Sequence, residues 1–166
     1  MIEITSHSGI YSLKVKQFLP INQDNAWRFL SEPGNLQKIT PAHMGFQITS
    51  TDDGKGMYPG QIITYKVSPF KCIRMNWVTE ITHVRESEYF VDEQRFGPYK
   101  FWHHKHFLRK ADKGVEMIDQ VSYKIPFGLF GRLMHRLIIR KKLYEIFQYR
   151  YNILEERFLE KENEKI

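Results

Sequence analysis

At about Leu129 the apolar residues of this chain stop recurring at every second position and begin recurring at three- and four-residue steps. Phe130, Leu133, Leu137, Tyr144, Phe147, Tyr151, Leu154 and Phe158 make up the later series, interrupted only at Arg140 or Lys141. That period belongs to a helix with one apolar stripe. A helix over 129–159 would be roughly 40 Å long. Most of the chain before it alternates between apolar and polar, as strands with one solvated face do. A helix of that length must bury its stripe, and the strands offer the only large surface for it.

The strands can be placed in turn. Tyr11 to Leu19 sets Tyr11, Leu13 and Val15 against Ser12, Lys14 and Lys16. Asn22-Gln23-Asp24 offers N-cap residues for a short helix through Ala26 to Leu30. Ser31-Glu32-Pro33-Gly34 ends it, and a second short helix fits Asn35 to Ile39 before Thr40-Pro41. Then come Phe46 to Thr51, Gln61 to Ser68, Cys72 to Val84, Glu88 to Phe96, Tyr99 to Lys110 and Val115 to Ile125, all predicted as strands. The loop Asp52 to Gly60 and the turns at Gly97-Pro98 and Ala111-Asp112-Lys113-Gly114 punctuate them. Short connections make an antiparallel sheet. The predicted class is α+β: a curved antiparallel sheet wrapped around a long C-terminal helix, with two short helices after the first strand. The 166 residues read as one domain spanning 1–166, with a charged, frayed end from Glu160 to Ile166.

Hairpin geometry gives a register. A tight turn centred on Asp112-Lys113 places Trp102 opposite Tyr123, His104 opposite Val121 and His106 opposite Asp119. Alternate residues share a face. The other face of the last strand carries Glu116, Gln120, Ser122 and Lys124, so it is the solvent side. A three-residue loop at Gly97-Pro98 then brings Gln94 beside Trp102 and Asp92 beside His104, leaving Glu93 and Arg95 in water. On the strand 72–84, Met75, Trp77 and Ile81 read as interior; Glu80 joins the polar set if the register slips by one. Asp92, Gln94, His104, His106, Asp119 and Tyr123 form a polar island on an apolar inner surface.

Buried polar groups need partners. The island can be a satisfied network built on His106 and Asp119, a patch that orients a ligand in an apolar pocket, or a general acid–base pair drawn from His104, His106 and Asp119. His-x-His with Asp119 or Asp92 is also a conceivable ligand set; no metal and no cofactor is expected. His103 lies on the opposite face. No serine or cysteine sits in a nucleophile context. Twelve Phe, nine Tyr and three Trp are more large rings than a core of this size needs, which favours rings lining a cavity. Trp77, Trp102 and Phe147 join Asp92, Gln94, His104, His106, Asp119 and Tyr123 as expected ligand-binding residues.

Six segments resemble the START-like superfamily, also called SRPBCC or polyketide-cyclase-like. They are Pro59-Gly60-Gln61-Ile62-Ile63-Thr64-Tyr65, Trp77-Val78-Thr79-Glu80-Ile81, Phe90-Val91-Asp92-Glu93-Gln94-Arg95-Phe96-Gly97-Pro98-Tyr99, Trp102-His103-His104-Lys105-His106-Phe107, Asp119-Gln120-Val121-Ser122-Tyr123 and Ile146-Phe147-Gln148-Tyr149-Arg150. The resemblance covers nearly the whole chain and is nearest to bacterial ligand-binding members. It implies the helix-grip fold and a cavity between sheet and helix for lipids, polyketides or other apolar molecules. That superfamily contains both binders and enzymes, and no catalytic set carries over residue by residue. The expected function is binding or transport of such a ligand; the alternative is a cyclase, dehydratase or hydrolase using the His–Asp cluster.

The formal net charge is +6. No helix-turn-helix or RNA-binding signature accompanies it, so nucleic acid is not an expected partner. Arg132, Arg136 and Arg140 recur every four residues beside Phe127, Leu129 and Phe130, a pattern that allows weak peripheral contact with an anionic membrane. The lone Cys72 excludes an internal disulfide. With no signal peptide or apolar span in view, the expected location is the cytoplasm.

Overall fold

The computed structural model describes residues 2–50, 54, 56–70 and 73–163. Cys72 and part of the 52–60 loop lie outside them. Among these residues eight strands make one antiparallel sheet: β1 (Ile2–His7), β2 (Ile10–Leu19), β3 (Gln47–Ile48), β4 (Ile62–Phe70), β5 (Ile73–Arg85), β6 (Tyr89–Phe96), β7 (Phe101–Ala111) and β8 (Gly114–Lys124). Their spatial order is β1-β2-β8-β7-β6-β5-β4-β3. Between β2 and β3 lie α1 (Gln23–Leu30), α2 (Pro33–Lys38) and one 3₁₀ turn, Ala42–Met44. The C-terminal helix comprises α3 (Gly128–Met134), a π-turn at His135–Ile139 and α4 (Arg140–Asn163). This is the curved sheet and long C-terminal helix that the apolar periods required. No helix among the described residues is long and apolar enough to cross a membrane.

Local chemistry accounts for the differences from expectation. Ile2 to His7 folds back on β2 through a turn in which Ser8 and Gly9 both take positive φ, adding an edge strand that alternation alone did not reveal. Helix α2 begins at Pro33, not Asn35, because a proline at the first helical position has no N–H to lose and Glu32 caps the turn. The strand expected at 46–51 shortens to two residues. Shifts of register between β5 and β6, at Val78/Thr79 and Ile81/His83, bend the sheet where it must curl.

The larger correction concerns the C-terminal helix. Leu143, Phe147, Arg150, Leu154 and Phe158 face inward along α4, while Tyr144 is exposed and Tyr151 only half-buried. Upstream, Phe130, Leu133 and Leu137 are more than half exposed, and the buried positions are Gly131 and His135. A side chain at Gly131 would run into the Pro126 carbonyl and Ile125, so the helix seats at a position that carries no Cβ. The inward row 131, 135, 139, 143 advances by four, more than the 3.6 of an α-helix. The π-turn absorbs the difference.

Candidate ligand cavity

Helix α4 packs on β1 and β2. Over the other half of the sheet it stands off, and a cavity of about 780 Å³ opens between it and β4–β7. That volume suits a small-molecule site, for which roughly 300–1,000 Å³ is usual. Ile63, Tyr65 and Val67 of β4 and Met75, Trp77, Thr79 and Ile81 of β5 form one wall. Phe90 and Asp92 of β6 continue it to Trp102, His104 and His106 of β7. Leu143, Ile146, Phe147 and Arg150 of α4 close it from above, and Phe29 and Leu36 from the first helices.

The ladder explains why the polar groups meet. Trp102 lies opposite Tyr123, His104 opposite Val121, His106 opposite Asp119 and Asp92 opposite His104, all as the turn geometry required. Glu80 points outward to Arg95, and His103 pairs with Glu93 on the outer face. Of the expected ligand-binding residues, Trp77, Asp92, Trp102, His104, His106 and Phe147 line the cavity. Three do not. Gln94 turns back to clamp the hairpin, donating to the Tyr99 carbonyl at 2.7 Å and accepting from the Tyr99 N–H at 3.2 Å. The backbone ladder stops at Glu93 and His103, so nothing holds Gln94 beside Trp102. Tyr123 is fully buried and shares a 2.8 Å hydrogen bond with His135. Asp119 sits beneath the histidines, 1% exposed.

The cluster is charge-balanced. His106 Nε2 donates to Asp92 Oδ2 at 2.9 Å, and His106 Nδ1 lies 2.8 Å from Asp119 Oδ1. With a carboxylate at each ring nitrogen, this imidazole is the natural cation. Burial alone would push its pKa down, but Asp119 and Asp92 outweigh burial and hold it above the ordinary value. His104 stands farther from the same acids, 3.4 Å from Asp92 and 3.5 Å from Asp119. Burial and the neighbouring His106 charge depress its pKa, leaving it neutral at pH 7. Burial opposes ionisation of Asp119, yet His106 and His104 hold it well below its usual range; Asp92 is lowered by the same two residues and Arg150.

Arg150 is the site residue that the sequence reading missed. It is 8% exposed, lies 5.0 Å above the Phe147 ring and reaches Asp119 Oδ2 at 3.5 Å. A signal was present: position 150 falls three after Phe147 and four before Leu154, on the same helix face. Two cations therefore meet two carboxylates. Asp92, His104 and His106 do bring ligand atoms within 4.8 Å of one another. A divalent cation there would have to displace the His106 proton and sit near the Arg150 charge, so the arrangement suits a proton better than a metal.

The shifts set a pH dependence. His106 keeps its proton in the folded state where the unfolded chain has released it. Its contribution is complete below about 6.5 and is lost as pH rises through its raised value. Asp119 and Asp92 contribute fully above about 3.8 and lose that contribution as pH falls through their lowered values. His135, buried against Tyr11 and Tyr123, is pushed down to about 4, so stability drains as pH falls from about 6.5 to about 4. The thermal midpoint should therefore peak near pH 6.5, and His135→Gln should flatten the upper acid limb. An acid limb unchanged by that substitution would contradict the assignment.

No protein-family model matches this chain, and no curated protein matches it. Solved structures do. One is TTHA0849 from Thermus thermophilus, 13% identical, TM-score 0.67, covering 89% of this chain and 97% of that one. A second is Ms6760 from Mycobacterium smegmatis, 12% identical, TM-score 0.65, covering 95% and 99%. A third is Ara h 8.0201, 13% identical, TM-score 0.58, covering 88% and 98%. At these identities the likeness is one of fold. The chain has the helix-grip fold that its resemblance to START-like proteins implied.

Proposed function

We propose that this protein binds and carries a small, mainly apolar molecule in the cavity between α4 and β4–β7. The supporting observation is the cavity itself: about 780 Å³, walled chiefly by apolar and aromatic side chains, with Asp92, His104, His106 and Arg150 among its lining. The enzymatic alternative, a cyclase, dehydratase or hydrolase, draws on the neutral, cavity-facing His104 as a base. His106 and Asp119 serve it less well, because each is already engaged in the balanced network. Titration with the neutral fluorophore N-phenyl-1-naphthylamine tests the binding reading. Saturable, one-to-one uptake with quenching of tryptophan emission is expected, since Trp77 and Trp102 line the cavity. Absence of saturable uptake would sink it.

The mouth of the cavity supports an anionic membrane surface as the partner for loading. Phe127, Leu129, Phe130, Leu133 and Leu137 are each more than half exposed. Phe127 holds φ at 67°, a costly conformation for a bulky residue. Phe127, Phe130, Met134, Ile138 and Lys142 also line the cavity, so this apolar apron is its rim. From Gln120 to Tyr144 the chain carries six Lys and Arg and no Asp or Glu. An apolar apron in a wholly basic segment complements an anionic bilayer. The protein should sediment with phosphatidylcholine vesicles containing phosphatidylserine and not with phosphatidylcholine alone. Leu129→Glu with Leu133→Glu should abolish that. Equal sedimentation of the variant, or none of the wild type, would refute the membrane contact.

A further inference from the structure

Arg150 has more hydrogen-bonding capacity than the protein uses. A guanidinium carries five N–H donors. This one is 8% exposed and lines the cavity; its contacts are the face of Phe147 and one oxygen of Asp119 at 3.5 Å, beyond good hydrogen-bond distance. Its Nε is buried with no partner among the described residues. Beside it, His104 is 5% exposed, and its nearest acceptors are 3.4 and 3.5 Å away. Buried donors at the wall of an apolar cavity are expected to be satisfied by whatever fills it.

We infer that Arg150, flanked by His104, is the polar subsite for a ligand that is apolar except for one neutral hydrogen-bond acceptor, such as a ketone or other carbonyl. This rests on the binding reading above and narrows it. The choice between a neutral and an anionic head follows from the charges in place. Asp92 and Asp119 already balance His106 and Arg150. A carboxylate would add an uncompensated buried charge next to two others of its own sign. A carbonyl oxygen accepts from the guanidinium and adds no charge. Ligands with no acceptor would leave the donors unmet.

Three molecules of one shape separate these cases: 2-ethylnaphthalene, 2-acetylnaphthalene and 2-naphthoate, each displacing N-phenyl-1-naphthylamine. The acetyl compound should bind at least tenfold more tightly than the naphthoate. It should also match or exceed the ethyl compound, despite its greater water solubility. Arg150→Lys keeps the charge balance but loses the planar fork, and should reduce the acetyl preference, read against the ethyl compound in the same variant, several-fold. Arg150→Met, with folding checked by thermal denaturation, should abolish the preference. Tightest binding by the naphthoate, a clear preference for the ethyl compound, or an acetyl preference unaffected by both substitutions would overturn the subsite and leave the cavity reading standing. Failure of all three to displace a bound fluorophore would do the same. Failure of the fluorophore itself to bind would remove both.

Discussion

Asp119→Asn is expected to destabilise the protein by about 3–5 kcal/mol, the range for breaking a buried ion pair from one side. The carboxylate is 1% exposed, and three side chains depend on it: His106 at 2.8 Å, and His104 and Arg150 at 3.5 Å. Asparagine leaves the Arg150 guanidinium without its carboxylate and removes the charge that keeps His106 protonated. For a chain of this length each kcal/mol moves the thermal midpoint by about 2–4 °C, so a fall on the order of 10 °C is expected. Glu93→Gln is the control. Glu93 also meets a histidine and an arginine, His103 and Arg95, but on the outer face, where such pairs are worth about 0–1 kcal/mol. Similar small effects for both would mean that the inner cluster is as solvated as the outer one.

Filling the cavity should remove binding without removing the fold. Met75 on β5 and Ile146 on α4 both line the space and are only half-buried. The double substitution Met75→Trp, Ile146→Trp should weaken N-phenyl-1-naphthylamine binding at least tenfold, about 1.4 kcal/mol. Its thermal midpoint should hold or rise, because side chains placed in empty space gain contacts that the cavity lining lacked. Unchanged affinity would place the fluorophore elsewhere. A collapse in stability would mean that the space is filled by packing in solution.

The parts of this structure legible in the sequence are those fixed by short-range geometry. The two-residue turn at Asp112-Lys113, with Lys113 at φ 60°, leaves one register for β7 and β8. Strand alternation then decides which of His103, His104 and His106 can meet an acid on the inner face. The illegible parts depend on long-range fit. The apolar series from Phe130 to Leu137 predicts an inward stripe, but the approach of α3 to Pro126 selects Gly131 and His135 for the inside and turns the large side chains out. The same series predicts Tyr144 and Tyr151 inside, where the structure buries Leu143 and Arg150. Gln94 departs from its expected position for a related reason: its side chain satisfies its own hairpin at Tyr99 instead of reaching across the sheet.

Occupancy of the space between α4 and β4–β7 by an apolar small molecule is the proposal on which the others depend. Native mass spectrometry of freshly purified protein, sprayed from a volatile buffer without detergent, measures this directly. The expected result is a species heavier than the chain by one small organic molecule, or, for protein purified empty, stoichiometric uptake of one N-phenyl-1-naphthylamine that is lost in the Met75→Trp, Ile146→Trp variant. A bare chain mass that acquires no adduct from an excess of that compound would contradict it.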